Sequence, residues 1–135
     1  MYLVDANVLS EATRPAPSPH VIGWLRDHEP ELVVTPIILG EIEYGILLLP
    51  SGKKRTQLLT WFRQGVQRLR VLDLDAGTAA VWAELLARLK RKGQAMPVKD
   101  SLIAASALQH QLTIVTRNVP DFRHAGVPLF DPFRG

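Results

Sequence analysis

The sequence predicts a three-layer α/β/α fold, with helices on both faces of a central four- to five-stranded, mainly parallel sheet. Short runs of β-branched and other apolar residues alternate along the chain with longer segments of helical periodicity, as expected for parallel strands joined by helices. The 135 residues have the length of one domain and contain no internal repeat, low-complexity tract or linker. We therefore expect a single domain over residues 1–135.

The composition excludes several kinds of protein. There is no cysteine, so a disulfide framework and a thiolate metal site are both impossible. Asp5 and Asn7 interrupt the N-terminus before the apolar core of a signal peptide could form, and no apolar run approaches the length of a membrane span. We expect a cytoplasmic protein that does not associate with membranes.

The net charge of +3 conceals an asymmetry. Residues 1–50 contain 2 basic and 7 acidic side chains, whereas residues 51–135 contain 14 basic and 6 acidic ones. A basic second half is compatible with a polyanionic partner such as RNA, although each basic cluster taken alone is also typical of a solvated helix face.

The first strand is predicted at residues 2–4, a run of β-forming residues that stops at the charged Asp5. Ligands of open parallel sheets bind at the carboxyl ends of the strands, so Asp5 is a candidate site residue. Asp and Asn are also favoured helix caps, so Asp5 or Asn7 could instead cap the next turn. The residues alone leave both interpretations open.

A proline-rich connection over residues 13–19 follows, and Ser18 before a proline is predicted to begin the next helix. Residues 31–35 form the second predicted strand, after which Thr35-Pro36 opens a helix that extends to about Leu48. This helix carries Glu41 and Glu43 among mostly apolar neighbours. At least one of these acids must approach apolar surface and needs a partner, but the spacing does not choose between them.

The middle of the chain is predicted to contain two helices and a strand. A basic amphipathic helix is expected from Ser51 to about Leu69, a third strand at residues 70–74, and a long helix capped by Asp75 and ended by Gly93. The helical hairpin over residues 35–69 has more apolar surface than the sheet needs, so we expect it to contact other proteins.

The last part of the chain is predicted to hold a helix at residues 98–110, with Asp100 in its first turn, and strands at 112–116 and 127–130. Asp100 could be an N-terminal acid favoured by the helix dipole or a site residue. Thr116 and Asp121 follow the fourth strand, with Asp121 expected in a short loop. Order is expected to end near Asp131.

Four acids are therefore expected along one edge of the sheet, namely Asp5, Glu41, Asp100 and Asp121. Converging carboxylates repel by roughly 4 kcal/mol per pair at about 4 Å and an effective dielectric near 20, so they need neutralisation. Oxygen-only ligands without cysteine suit Mg²⁺ or Mn²⁺ rather than zinc. A carboxylate-bound metal beside a basic surface is typical of phosphodiester hydrolysis, and Asn7 and Thr116 could orient a ligand or water.

At this point the chain resembles a known family. The motifs are Asp5 to Glu11, Glu41 with Tyr44-Gly45-Ile46, Leu49-Pro50-Ser51-Gly52, Asp100 with Ile103-Ala104-Ala105, and Thr116-Arg117-Asn118 with Asp121-Phe122. Their order and spacing resemble those of PIN-domain ribonucleases and, more narrowly, of VapC or FitB-type toxins of bacterial toxin–antitoxin pairs. The resemblance covers essentially the whole chain.

The resemblance implies that Asp5, Glu41, Asp100 and Asp121 are catalytic ligands of Mg²⁺ or Mn²⁺, supported by Asn7 and Thr116. It favours Glu41 over Glu43. It also implies an endoribonuclease that cuts transfer or ribosomal RNA, forms a homodimer and is silenced by a cognate antitoxin protein. Ala6 departs from the family, in which a Thr is common after the first Asp.

Three alternatives compete with this interpretation. A haloacid-dehalogenase-like phosphatase would need a second carboxylate where Asn7 stands. A metal-independent ribonuclease would need paired histidines, and the candidates are His20, His28, His110 and His124. The third alternative is a PIN-fold module that binds RNA or protein without turnover.

Overall fold

The structure, a computed structural model, describes residues 1–134 and contains a five-stranded sheet. Its strands are Tyr2–Val4 (β1), Leu32–Val34 (β2), Arg70–Val71 (β3), Thr113–Val115 (β4) and Leu129–Phe130 (β5). They lie in the order β3-β2-β1-β4-β5, and every neighbouring pair is parallel. The predicted parallel α/β fold is confirmed.

Seven α-helices alternate with these strands in the described range. They are Ala6–Leu9 (α1), Pro19–Asp27 (α2), Pro36–Leu47 (α3), Lys53–Gln64 (α4), Ala76–Arg91 (α5), Val98–His110 (α6) and Val119–Phe122 (α7). None of the helices within residues 1–134 is both long and apolar enough to cross a membrane.

Local sequence signals begin several of these helices. The hydroxyl of Ser18 accepts from the Val21 amide at the start of α2, and that of Thr35 accepts from the Ile38 amide at the start of α3. Each cap precedes a proline, which is pre-organised for the first helical position. Gly93 follows α5 with a φ of +66°, as predicted for the residue that ends this helix.

The core lies around β1, the central strand. The side chains of Leu3 and Val4 are fully buried, as are those of Val33 on β2 and Ile114 on β4. Because both faces of these strands are covered, they are continuously apolar rather than alternating. Strand β1 ends directly before the first charged residue, Asp5.

Several predicted boundaries differ in the structure. Residues 6–13, left without secondary structure in the prediction, form α1 and a 3₁₀ segment at Ser10–Thr13. Helix α4 ends at Gln64 rather than near Leu69, because Gly65 caps it and a 3₁₀ turn follows. Strand β3 is two residues long, since the chain leaves the sheet after pairing with β2.

Two expectations about the C-terminal part were wrong. Asp121 lies in the single-turn helix α7, which Pro120 favours near its first position, and not in a loop. The chain remains structured beyond Asp131, whose carboxylate accepts from the Phe133 amide at 2.9 Å. Phe133 also packs beneath the guanidinium of Arg117, 4.5 Å from its ring centroid.

Candidate active site

Asp5 is buried at the carboxyl end of β1, with 5% of its surface exposed. Its Oδ1 accepts from the Ala6 amide at 2.9 Å, and its Oδ2 accepts from the Thr116 hydroxyl at 2.8 Å. Burial raises the pKa of Asp5 above its usual value, while these two hydrogen bonds oppose the rise. Asp5 therefore caps α1 and also lies at the sheet edge where ligands bind.

Thr116 and Asn7 hold Asp5 in place. The Asn7 amide donates to Asp5 Oδ2 at 3.3 Å, and Asn7 Oδ1 accepts from the Arg117 amide at 3.1 Å. The Thr116 hydroxyl oxygen accepts from the Asn118 amide at 3.0 Å while donating to Asp5. The two supporting residues predicted from the sequence thus tie the ends of β1 and β4 together at Asp5.

Glu41 joins this region from α3. Its Oε2 accepts from the Lys99 ammonium at 2.8 Å, whereas its Oε1 is buried and has no hydrogen-bond partner within residues 1–134. The negative charge of Glu41 is among the causes that raise the pKa values of Asp5 and Asp100. Of the two acids on α3, the structure therefore brings Glu41 to the acidic region.

Asp100 lies in the first turn of α6, directly after Lys99. Burial, followed by the charges of Asp5 and Asp121, raises the pKa of Asp100 to about 6. The contribution of Asp121 shows that this exposed residue of α7 lies within electrostatic range of Asp100. The structure thus brings all four predicted acids to one edge of the sheet.

Helix α6, which carries Asp100, is joined to α5 by side-chain hydrogen bonds. The Trp82 indole donates to the Ser101 hydroxyl at 2.9 Å, next to Asp100. At the other end of α6, the Thr78 hydroxyl donates to Gln109 Oε1 at 2.6 Å, and Gln109 Nε2 donates to Asp75 at 3.1 Å. These bonds join the N-terminal half of α5 to both ends of α6.

The four carboxylates fit a hard divalent cation in their chemistry. They offer only oxygen donors, and the buried Oε1 of Glu41 is an acceptor that a cation would satisfy. In the part of the chain that the structure describes, no three acidic or histidine side chains are arranged so that they could already hold a metal ion. A cation held by these acids would need their side chains to move closer together.

Lys99 is the residue of this site that sequence reasoning missed. Its position beside Asp100, in the first turn of α6, resembles that of an ordinary surface lysine. Its contact with Glu41 joins residues 58 positions apart, so no local pattern could have indicated it.

Glu11, a buried acid of the opening motif, has a structural role, because its Oε2 accepts from the Ser18 amide at 2.8 Å.

Two of the four histidines, His28 and His110, lie away from this edge. His28 follows α2 and precedes β2, and His110 ends α6 before β4, so both lie near the amino ends of the strands. The ring of His28 is stacked on Trp24 at 4.3 Å, and its Nδ1 lies 2.8 Å from the Trp24 carbonyl oxygen. These contacts give His28 a packing role, as is usual for a lone histidine.

Comparison with known proteins agrees with this architecture. A PIN-domain family model matches residues 2–127. Toxin FitB of Neisseria gonorrhoeae is 36% identical over 98% of this chain and 99% of its own length. VapC ribonuclease Y4jK of Sinorhizobium fredii is 30% identical over 98% of each chain.

A solved structure extends the likeness to three dimensions. The crystal structure of FitAcB from Neisseria gonorrhoeae superposes with a TM-score of 0.93 at 34% identity, covering 100% of both chains. Family model, sequence relatives and solved structure all span nearly the whole chain. The chain belongs to the PIN-domain family and, within it, to the FitB/VapC-type toxins.

Proposed function

We propose that this protein is the endoribonuclease toxin of a toxin–antitoxin pair and that it hydrolyses RNA phosphodiester bonds at the acidic edge. Asp5, Glu41, Asp100 and Asp121 would hold Mg²⁺ or Mn²⁺. The observation that carries the proposal is the electrostatic coupling of Asp100 to the other three acids at one edge of the sheet, where one oxygen of Glu41 is buried without a partner. The ribonuclease name of the VapC relative supports the choice of reaction.

The metal, when bound, supplies Lewis-acid polarisation of the phosphate and makes a water molecule more acidic. The protein supplies a preorganised anionic frame. Asp5 is held by Thr116 and the Ala6 amide, so little reorientation is needed before it binds a cation. Asp100 has a raised pKa and must lose its proton before it can act as a ligand.

The RNA would lie across the edge where Asp5 and Thr116 end their strands. The family resemblance suggests transfer or ribosomal RNA, and either substrate would place the activity in the cytoplasm. Attack of water on phosphorus with departure of the 3′ oxygen leaves a 5′-phosphate and a 3′-hydroxyl. A 2′,3′-cyclic phosphate would instead indicate attack by the ribose hydroxyl and would contradict the proposal.

The test is cleavage of total transfer RNA, and then of ribosomal RNA, with Mg²⁺, with Mn²⁺ and with excess EDTA. Asp100→Asn and Glu41→Gln should reduce cleavage by at least about 100-fold, since each removes a metal ligand. Glu43→Gln is the matched control on α3 and should cleave like the wild type. Cleavage that survives EDTA or the Asp100→Asn change would contradict the metal site.

A non-catalytic RNA-binding module is the alternative outcome of this experiment. RNA would then bind without product under either metal, and Asp100→Asn would leave binding unchanged. Titration of both substrates with the metal-free wild type separates this case from a substrate that is simply not recognised.

We also propose that the helical hairpin of α3 and α4 contacts the cognate antitoxin and a second copy of the chain in a homodimer. Tyr44, Leu47 and Leu48 expose 65%, 47% and 67% of their surface on the outer part of this hairpin. A groove of about 520 Å³ runs from Asn7 and Glu41 to Trp61. An antitoxin segment in this groove would reach the acidic edge directly.

Hydrogen–deuterium exchange of the toxin alone and of the toxin–antitoxin complex tests this surface. The amides of α3 and α4 should be protected in the complex. Unchanged exchange there, with protection elsewhere, would contradict the assignment. Light scattering of Leu48→Glu against the wild type separates the dimer contact from the antitoxin contact.

A further inference from the structure

Lys99 on α6 is next to Asp100 in the chain and contacts Glu41 on α3. It follows the N-terminus of α6 by one residue, precedes Asp100, and places its ammonium 2.8 Å from Glu41 Oε2 on α3. The contact therefore links α3 and α6 across the acidic edge. About half of the Lys99 side chain is exposed, so it can leave this position without breaking the core.

Lys99 is positively charged at neutral pH. The hydrogen bond to Glu41 raises the pKa of Lys99, and the charges of Glu41, Asp100 and Asp5 raise it further. Lys99 in turn lowers the pKa values of Asp5 and Asp100, against the larger effect of their burial. One ammonium group thus acts on three of the four acids.

The geometry at Glu41 shows what Lys99 does to the site. One oxygen of Glu41 is engaged by the ammonium, the other is buried without a partner, and the carboxylates of residues 1–134 are not arranged to hold a metal. An ammonium that donates to a carboxylate oxygen forms a strong charge-assisted hydrogen bond and repels other cations nearby. Lys99 therefore competes with a divalent ion for Oε2 of Glu41, whereas Oε1 stays open to that ion.

We propose that Lys99 is a resident counter-cation of the acidic site, and that a divalent ion reaches both oxygens of Glu41 only by displacing it. The inference rests on the proposed function, since it assumes that Glu41 is a metal ligand. It assigns Lys99 as a positioning residue. Lys99 stabilises the metal-free protein and lowers its affinity for the metal, so half-occupation of the site needs a higher metal concentration than it would without Lys99.

The experiment measures Mn²⁺ affinity by isothermal titration calorimetry at pH 7.5, without RNA. Lys99→Met keeps the length of the side chain and removes its charge, and it should bind Mn²⁺ at least about tenfold more tightly. Lys99→Arg keeps the charge and should bind Mn²⁺ within about twofold of the wild type. Arg70→Met is the matched control, because it removes one positive charge from the start of β3, at the opposite edge of the sheet.

Unfolding in EDTA is the second readout, and it does not depend on metal binding. Lys99→Met should unfold at a lower denaturant concentration than the wild type without metal, and should gain more stability on addition of Mn²⁺. Unchanged Mn²⁺ affinity in Lys99→Met would overturn the inference. A gain in affinity that Arg70→Met matches would overturn it too, because net charge alone would then account for the gain.

Mn²⁺ binding to Glu41→Gln and Asp100→Asn distinguishes a failure of the proposed metal site from a failure of the role proposed for Lys99. If Glu41→Gln and Asp100→Asn bind Mn²⁺ as tightly as the wild type, the acidic metal site itself is wrong. If both bind weakly while Lys99→Met resembles the wild type, only the role of Lys99 is wrong. The gain from Lys99→Met should shrink in the Glu41→Gln background, and a full gain there would contradict competition for Glu41.

Discussion

Asp5 and Asp100 at the acidic edge differ in how their carboxylates are held. Asp5 caps α1 through Oδ1 and binds Thr116 through Oδ2, so both of its oxygens face donors. Asp100 is different, because burial and neighbouring charges disfavour its ionised form and raise its pKa to about 6. The two aspartates therefore affect stability differently, although both are proposed ligands.

Asp100→Asn should stabilise the metal-free protein by about 1 kcal/mol at pH 7.5, with the shift discounted for solvent screening at this partly exposed side chain. The amide removes repulsion from Asp5 and Asp121 without changing the shape of the side chain. Urea unfolding in EDTA measures the change. Glu84→Gln, on the exposed surface of α5, is the control and should shift the midpoint little. A less stable Asp100→Asn protein would contradict the origin assigned to the pKa shift.

The stability of the metal-free protein should fall as the pH rises from about 4 to about 6 through the contribution of Asp100. Its pKa is higher in the folded protein than the ordinary value of 3.8, so the folded state holds this proton more tightly. The contribution is complete below about pH 4 and is lost above about pH 6. The stability difference between the wild type and Asp100→Asn isolates the contribution of Asp100 from that of groups whose pKa shifts in the opposite direction. Asp75 is such a group, because hydrogen bonds from Thr78 and Gln109 lower its pKa. A difference that does not vary with pH would contradict this linkage.

At the scale of elements, the acidic edge depends on how α6 is attached. Asp5 and Thr116 are positioned by the ends of β1 and β4. Asp100 lies on α6, and its position depends on how this helix packs against the rest of the fold. The bonds from the N-terminal half of α5, through Trp82 to Ser101 and through Thr78 to Gln109, hold α6 near both of its ends. The α5–α6 pair is therefore the unit that sets the position of Asp100.

Trp82→Phe should destabilise the protein by about 1 kcal/mol and lower the cleavage rate more than the loss of stability explains. The substitution keeps the aromatic packing and removes the donor to Ser101. A double-mutant cycle with Ser101→Ala measures the coupling in both stability and cleavage. Fully additive effects would mean that this hydrogen bond does not position α6.

At the scale of the whole molecule, charge is divided along the chain. The first 50 residues are net acidic and contribute Asp5 and Glu41, while the remainder is net basic. Phosphates attracted by the basic surface would be brought to an edge whose own acids repel them until a metal is bound. Under the proposed function, this arrangement would make RNA binding electrostatic and productive binding dependent on the metal.

RNA affinity should therefore fall with salt. With about three phosphate contacts to single-stranded RNA, the affinity is expected to drop about tenfold or more between about 50 and about 200 mM salt. Fluorescence anisotropy in EDTA measures binding while preventing cleavage. An uncharged crowding agent at matched viscosity is the control. Affinity that does not depend on salt would exclude phosphate contacts as the source of binding.

Much of this architecture followed from local patterns. The apolar run before Asp5, the Ser-Pro and Thr-Pro caps and the glycine after α5 are short-range signals, and the structure confirms the elements that they predict. Local patterns failed at α1 and α7, because helices of a single turn are stabilised by their surroundings more than by their own residues. The early end of α4 was missed because Gly65 is a weak signal inside an amphipathic pattern.

The sequence by itself determined the parallel α/β fold and which acids stand at strand and helix ends, because these depend on hydrophobic periodicity and capping within a few residues. Residue spacing left Glu41 and Glu43 equivalent and the family resemblance favoured Glu41, but only the tertiary structure brings Glu41 to the other acids and shows that Lys99 occupies one of its oxygens. These facts depend on how α3 and α6 pack across the sheet. Electrostatic contacts between residues far apart in the chain arise from that packing, and no local spacing encodes them.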